Sequence, residues 1–163
     1  MNILAWLAVA GFIVKAGAIL ISYGVSIGNP VGAKNLYMGW DLYDVRQSNF
    51  SEYTALVCLM VVIVLLEAYT AFLITRVLSK IKLANPFTAE VSKMLEGISY
   101  FILLIWAVAM IFNGLITWLS SQFPGLKENL ISGDFIFFAG VVFVIALIFK
   151  RGVELQSENE LTV

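Results

Sequence analysis

Lys15 and Glu67 each stand alone as a charge inside a long apolar run, where a charge is costly and can do chemistry. A central Lys or Asp costs a membrane helix about 2.5 to 3.5 kcal/mol on insertion scales, and each Leu, Ile, Phe or Val offsets about 0.3 to 0.6. The run around Lys15 has enough such residues to carry one charge and still insert. Intramembrane charges mark proton or ion relays and small-molecule pockets, and they also pair to fix helix register. Ser22 on the first run, Tyr69 on the second, and Asn113 and Thr117 on the third extend the set to a polar interior, with Asn113 as interhelical glue. The register reading is favoured. One Lys and one Glu are thin equipment for transport, and none of the runs shows the breaks expected of transport helices. A homo-oligomer could still build a path that one chain cannot.

The elements that must position these residues are membrane spans. Of 163 residues, 61% are hydrophobic and 13% charged, against roughly 45 to 50% and about 25% in soluble domains. Mean hydropathy is +0.93, so the lipid bilayer is the expected surroundings. Apolar blocks at residues 3–27, 53–76, 98–119 and 132–150 approach or exceed the roughly 20 residues that a spanning helix needs. The expected fold is one all-α domain, a four-helix transmembrane bundle, followed by a tail at residues 151–163. The first block does not read as a signal peptide: no Lys or Arg precedes it, Lys15 interrupts it, and it is too long. The fourth block is short, so it starts before Phe135 or lets Lys150 and Arg151 snorkel to the interface.

Smaller features refine the layout. Ala8, Gly11, Lys15, Ala18 and Ser22 recur at alternating spacings of three and four, as a helix packing face would. Residues 29–52 interleave Tyr37, Trp40, Tyr43 and Phe50 with charges. The expectation is an interfacial belt at headgroup depth, with a ligand-binding lid as the other reading. Pro86 disfavours helix at Asn85, and Thr88 can cap a new helix that has Glu90 in its first turn. Orientation follows from Lys and Arg in the connections. Arg76, Lys80, Lys82, Lys93, Lys150 and Arg151 lie on one side, while Lys34, Arg46 and Lys127 lie on the other. Both termini are therefore expected in the cytoplasm.

Other function classes drop out. A net charge of -1 leaves no surplus cations to replace phosphate counterions, so direct nucleic-acid binding is not expected. With no His and one cysteine, the chain offers no metal centre or internal disulfide, and Cys58 reads as a small buried hydrophobe. The sequence shows no phosphate loop, nucleophile elbow or cofactor motif, so neither enzyme activity nor a cofactor is expected.

Two stretches are more specific. Asn85-Pro86-Phe87-Thr88, with Glu90 after it, lies between the second and third blocks. The tail reads Phe149-Lys150-Arg151-Gly152-Val153-Glu154-Leu155-Gln156-Ser157-Glu158-Asn159-Glu160-Leu161-Thr162-Val163. Together they resemble the domain-of-unknown-function family 2975, small bacterial membrane proteins of four spans. That family shows an Asn-Pro-Phe turn at this place and an ending close to Phe-Arg-Arg-Gly-Val-Glu-Leu-Gln-x-Glu-Asn-Asp-Leu-Thr-Val. Lys150 replaces an Arg and Glu160 an Asp, both with charge kept. The resemblance implies a bacterial cytoplasmic (inner) membrane and brings no established activity. It also implies a partner, a very small helix-turn-helix regulator encoded beside such proteins.

Gly152 can end or hinge the fourth helix. Beyond it, Val153, Leu155, Leu161 and Val163 offer an apolar edge while Glu154, Glu158 and Glu160 offer carboxylates. Such a tail can dock a basic cytosolic regulator, or pack back on the hairpin and close the bundle. The expectation is therefore a non-enzymatic regulatory or sensory membrane protein. The alternative is a small transporter, channel or immunity-type protein that works through Lys15 and Glu67.

Overall fold

The computed structural model describes residues 3–37, 39–81, 87–123, 126 and 131–160, with side chains as far as Glu158. Asn85, Pro86, Leu161, Thr162 and Val163, and the side chains of Asn159 and Glu160, lie outside the described residues. The described elements are all helical: α1 (Ile3–Gly28), a 3-10 helix (Pro30–Asn35), α2 (Tyr43–Ser48), α3 (Phe50–Lys80), α4 (Ala89–Ser120) and α5 (Phe135–Glu160). Four of them, α1, α3, α4 and α5, are long and apolar enough to cross a membrane.

Local chemistry sets the helix ends. The Asn49 side chain accepts from the Ser51 and Glu52 backbone N–H groups and starts α3, earlier than the apolar pattern alone indicates. Thr88 accepts from the Val91 N–H and starts α4, as Ser, Thr, Asp and Asn do at helix starts where backbone donors have no partner. Helix α5 runs on through Gly152 to Glu160 instead of ending or hinging there. The residues after Gly152 are mostly good helix formers, and Arg151 Nη1 donates to Glu154 Oε2 at 2.7 Å, one turn on.

The long helices form an open antiparallel row in the order α1, α3, α4, α5, because α1 packs on α3 and α5 on α4 while α1 and α5 do not close on each other. Most of the apolar surface of α5 therefore faces outward, as lipid-facing surface does. Cys58 is also exposed, because the inward face of α3 is formed by Leu56, Val57, Met60 and Val61 around it. The buried face of α1 is Val9, Ala16, Ile19 and Ser26, not the stripe of small residues. Of the small-residue stripe, Ala8 and Gly11 are exposed, whereas Lys15, Ala18 and Ser22 are half-buried.

Helix α5 is also displaced along the row. Ser92 Oγ donates to the Ala146 carbonyl at 3.2 Å, and Asn113 bonds the Ile131 backbone. These pairings set Phe135 beside residues 103–109 of α4, so α4 continues about 20 Å further at its rise of about 1.5 Å per residue. By the same reckoning α5 projects about 15 Å past the other end of α4, the hairpin end. The fourth element of the row thus starts level with the middle of its neighbours.

The space left at the opposite end is filled by residues 29–37 and 39–49. Leu36, Leu42 and Val45 are at most 1% exposed and join Phe112, Ile116, Leu119 and Tyr53 in one core. Arg46 fastens this cap by donating from Nε and Nη2 to the Ser26 and Ile27 carbonyls, each at 3.1 Å. Those carbonyls belong to the last turn of α1, where acceptors have no helical donor.

Candidate functional site

Lys15 sits near the middle of α1, and Glu67 near the middle of α3. The two helices run antiparallel, which brings Lys15 Nζ to 3.7 Å from Glu67 Oε2. This is an ion pair but too long for a hydrogen bond, and Glu67 Oε2 is buried with no hydrogen-bond partner among the described residues. The side chains are 35% and 16% exposed respectively.

That partial exposure is to cavities. A cavity of about 180 Å³ lies over the pair, with Lys15 and Glu67 at its floor and Tyr37, Trp40 and Ile131 among its walls. Taking about 30 Å³ per molecule, it has room for roughly six waters. Trp40 meets Phe112 edge to face at 5.5 Å between ring centroids, and Tyr37 and Trp40 both pack against the buried core. These two rings thus cover the cavity as part of a lid. The cause lies in the displacement of α5, which leaves a vacancy among α1, α3 and α4 that aromatic side chains fill.

A second, larger cleft of about 470 Å³ opens on another side of Glu67. Its walls include Phe12 of α1, Thr70 and Ala71 of α3, Ile105 of α4, and Phe135 and Phe138 of α5. Glu67 is the residue common to both spaces. Thr70 Oγ1, one helical turn away, is likewise buried without a partner.

Asn113 has a different role from the one its type indicates. Its side-chain amide donates to the Ile131 carbonyl at 2.8 Å and accepts from the Ile131 N–H at 2.9 Å. It thereby pins the non-helical approach to α5 about 10 Å below the end of α4, at 1.5 Å per residue. Ser132 Oγ donates to Asp134 Oδ2 at 2.6 Å in the turn that follows. Tyr69 and Thr117 stand outside the polar interior: Tyr69 is exposed and packs edge to face on Phe101, with 4.8 Å between ring centroids, and Thr117 is exposed. Ser22 is half-buried. The buried hydroxyl of α1 is that of Ser26, 2.6 Å from the Tyr53 hydroxyl.

At the hairpin end, Phe87 meets Phe149 edge to face at 5.2 Å between ring centroids. A Cβ added at Gly152 would lie 2.6 Å from Phe87 Cδ1. Gly152 is thus the gap into which the Phe87 ring fits. Lys80 and Glu90 pair across the hairpin at 3.0 Å, an exposed bridge worth at most about 1 kcal/mol. Arg151, just before Gly152, and Leu155 and Glu158 beyond it share one exposed face of the projecting helix. Replacing Gly152 with Leu is expected to eject Phe87 and cost about 1 kcal/mol net. The better helix propensity of Leu offsets up to about 1 kcal/mol of the clash. Intrinsic fluorescence of a Phe87→Trp probe, with and without the Gly152→Leu change, reads the ejection as a red shift. An unchanged spectrum would show that the two residues do not touch.

Residues 43–163 match the family described as Protein of unknown function (DUF2975). The chain belongs to this family. No curated protein and no solved structure matches it. The DUF2975 match takes in Glu67, Thr70, Asn113, Phe87, Gly152 and the tail, and begins after Lys15, Tyr37 and Trp40. The aromatic spacing in residues 29–52 fits a lid as well as a belt, whereas nothing in the sequence signals the buried Thr70 hydroxyl or the Asn113–Ile131 anchor.

Proposed function

We propose that this DUF2975 chain is a non-enzymatic regulatory protein of a bacterial inner membrane, with both termini in the cytoplasm. Its hairpin and tail dock a small cytosolic helix-turn-helix regulator. The observation that carries this reading is the course of α5, which leaves the row as a continuous helix and projects about 15 Å past its neighbours at the hairpin end. A helix end that presents Leu155 at 47% exposure beside Glu154 and Glu158 suits a partner of basic charge. A DNA-binding domain is basic on its recognition face, and Glu154 and Glu158 would compete there with phosphate. The excess of Lys and Arg in the connections on the hairpin side supports a cytoplasmic location for this end.

The test uses the intact protein and the regulator encoded beside it. Glu154→Lys with Glu158→Lys is expected to lower recovery of the regulator at least fivefold in co-purification, while the membrane protein is still produced and extracted normally. Undiminished recovery would remove the electrostatic part of the proposal.

A second reading, transport or conduction through the membrane interior, draws on a separate observation. Glu67 lies where the capped cavity and the lateral cleft meet. In that reading Lys15→Met or Glu67→Gln abolishes function in a protein that still folds.

A further inference from the structure

We propose that the capped cavity above Lys15 binds a neutral molecule about one ring in size that carries a hydrogen-bond acceptor. The acceptor takes a hydrogen bond from the Lys15 ammonium. The proposal stands on this cavity alone, apart from both readings above.

Lys15 supplies the cavity with an accessible donor. An ammonium offers N–H bonds in three directions and accepts none, yet Lys15 Nζ makes no hydrogen bond to a described residue. Its ion-pair partner, Glu67 Oε2, stands at 3.7 Å and is itself sealed from water. The ammonium is not sealed in this way: the Lys15 side chain is 35% exposed, it lines the cavity, and Nζ is not one of the buried unpartnered atoms among the described residues. Donors left unpaired away from bulk water are costly, so an acceptor placed in the cavity gains strongly. Water serves that need only in part. A cavity water needs two to four polar partners, and the walls offer polar side-chain atoms only at Lys15, Glu67, Tyr37 and Trp40, with apolar residues such as Ile63 and Phe112 making up the rest. These groups satisfy few of the roughly six waters that the volume would hold, which favours an occupant with one polar end and an apolar body.

Size and charge narrow the class. An apolar cavity of about 150 Å³ holds a benzene molecule, so a cavity of about 180 Å³ admits one ring with a short substituent. Trp40 and Phe112, edge to face at 5.5 Å between centroids, give it a wall against which a ring packs well. Lys15 and Glu67 together are neutral. An anion at the ammonium would also meet the Glu67 carboxylate, and a cation would meet Lys15, each in surroundings that screen charge poorly. A neutral acceptor avoids both repulsions and still gains a charge-assisted hydrogen bond. A ring bearing a carbonyl has this chemistry.

The experiment is fluorine NMR of small probes with the whole protein in phosphatidylcholine nanodiscs. The probes are para-fluoroacetophenone, para-fluoroethylbenzene, which keeps the ring and lacks the acceptor, and para-fluorobenzoate, which adds a charge. Empty nanodiscs supply the correction for partitioning into lipid. Expected is saturable binding of the ketone, about tenfold tighter than the hydrocarbon, the size of one hydrogen bond to a charged group, and at least tenfold tighter than the benzoate. Lys15→Met combined with Glu67→Leu should still bind the hydrocarbon, which shows that it is folded, and bind the ketone no more tightly. Ile63→Phe, which fills the cavity from its wall, should abolish binding of both. Equal affinity for ketone and hydrocarbon in the parent, tightest binding of the benzoate, or binding that survives Ile63→Phe would overturn the proposal. So would the absence of saturable binding by any probe, which would leave the cavity to water. Failure here leaves tail docking untouched, and failure of co-purification leaves the cavity untouched.

Discussion

Replacing Asn113 with Leu is expected to destabilise the protein by about 3 kcal/mol and to release the segment before α5. The change keeps the branched side-chain shape and removes both hydrogen bonds to the Ile131 backbone. The Ile131 N–H and C=O are then left without partners, and each unsatisfied buried group costs about 1 to 3 kcal/mol. Asn113→Asp is not expected to rescue: it keeps the acceptor for the N–H but sets a carboxylate oxygen against the Ile131 carbonyl. Denaturant titration in mixed micelles measures the loss, and hydrogen exchange over residues 131–135 locates it. A cost below about 1 kcal/mol would show that water replaces the amide at this depth.

Lys15→Met is expected to cost about 2 to 3 kcal/mol. The loss would come mainly from the carboxylate stranded at Glu67, because removing one member of a buried pair leaves an uncompensated charge. The figure stays at the low end of that range because the Lys15 side chain is a third exposed, to the cavity. Lys15→Met combined with Glu67→Leu should return to within about 1 kcal/mol of the parent, since apolar replacement of both partners is often neutral. The double-mutant cycle isolates the coupling. Additive losses would show that the two charges do not stabilise each other. A double variant with full biological function would make the pair structural and end the transport reading.

The sequence carried some of this plainly and some not at all. Four apolar blocks gave four long helices, and Thr88 gave the start of α4, because span length and capping are local properties. Lys15 and Glu67 meet because each lies near the middle of its helix, and depth can be counted along a chain. The displacement of α5 could not be counted. It depends on Asn113 reaching the backbone of Ile131, 18 positions away, a contact that residue type alone would assign to another helix. The lid followed from the same cause: Tyr37 and Trp40 turn inward only because α5 leaves space for them. Gly152 read as a stop because glycine often ends helices. Here it remains helical and admits the Phe87 ring. The small-residue stripe on α1 is divided, since its Lys15 meets Glu67 of α3 while Ala8 and Gly11 stay exposed.

The four-helix architecture expected from the sequence thus carries a capped cavity above Glu67, a lateral cleft beside it, and a projecting helix at the hairpin end. What the projecting helix does is read most directly by co-purification of the proposed small helix-turn-helix regulator, comparing the intact chain with one stopped after Gly152, at matched amounts of extracted membrane protein. Recovery with the intact chain and at least tenfold less with the shortened one is the predicted result. Equal recovery from both would contradict docking through the tail.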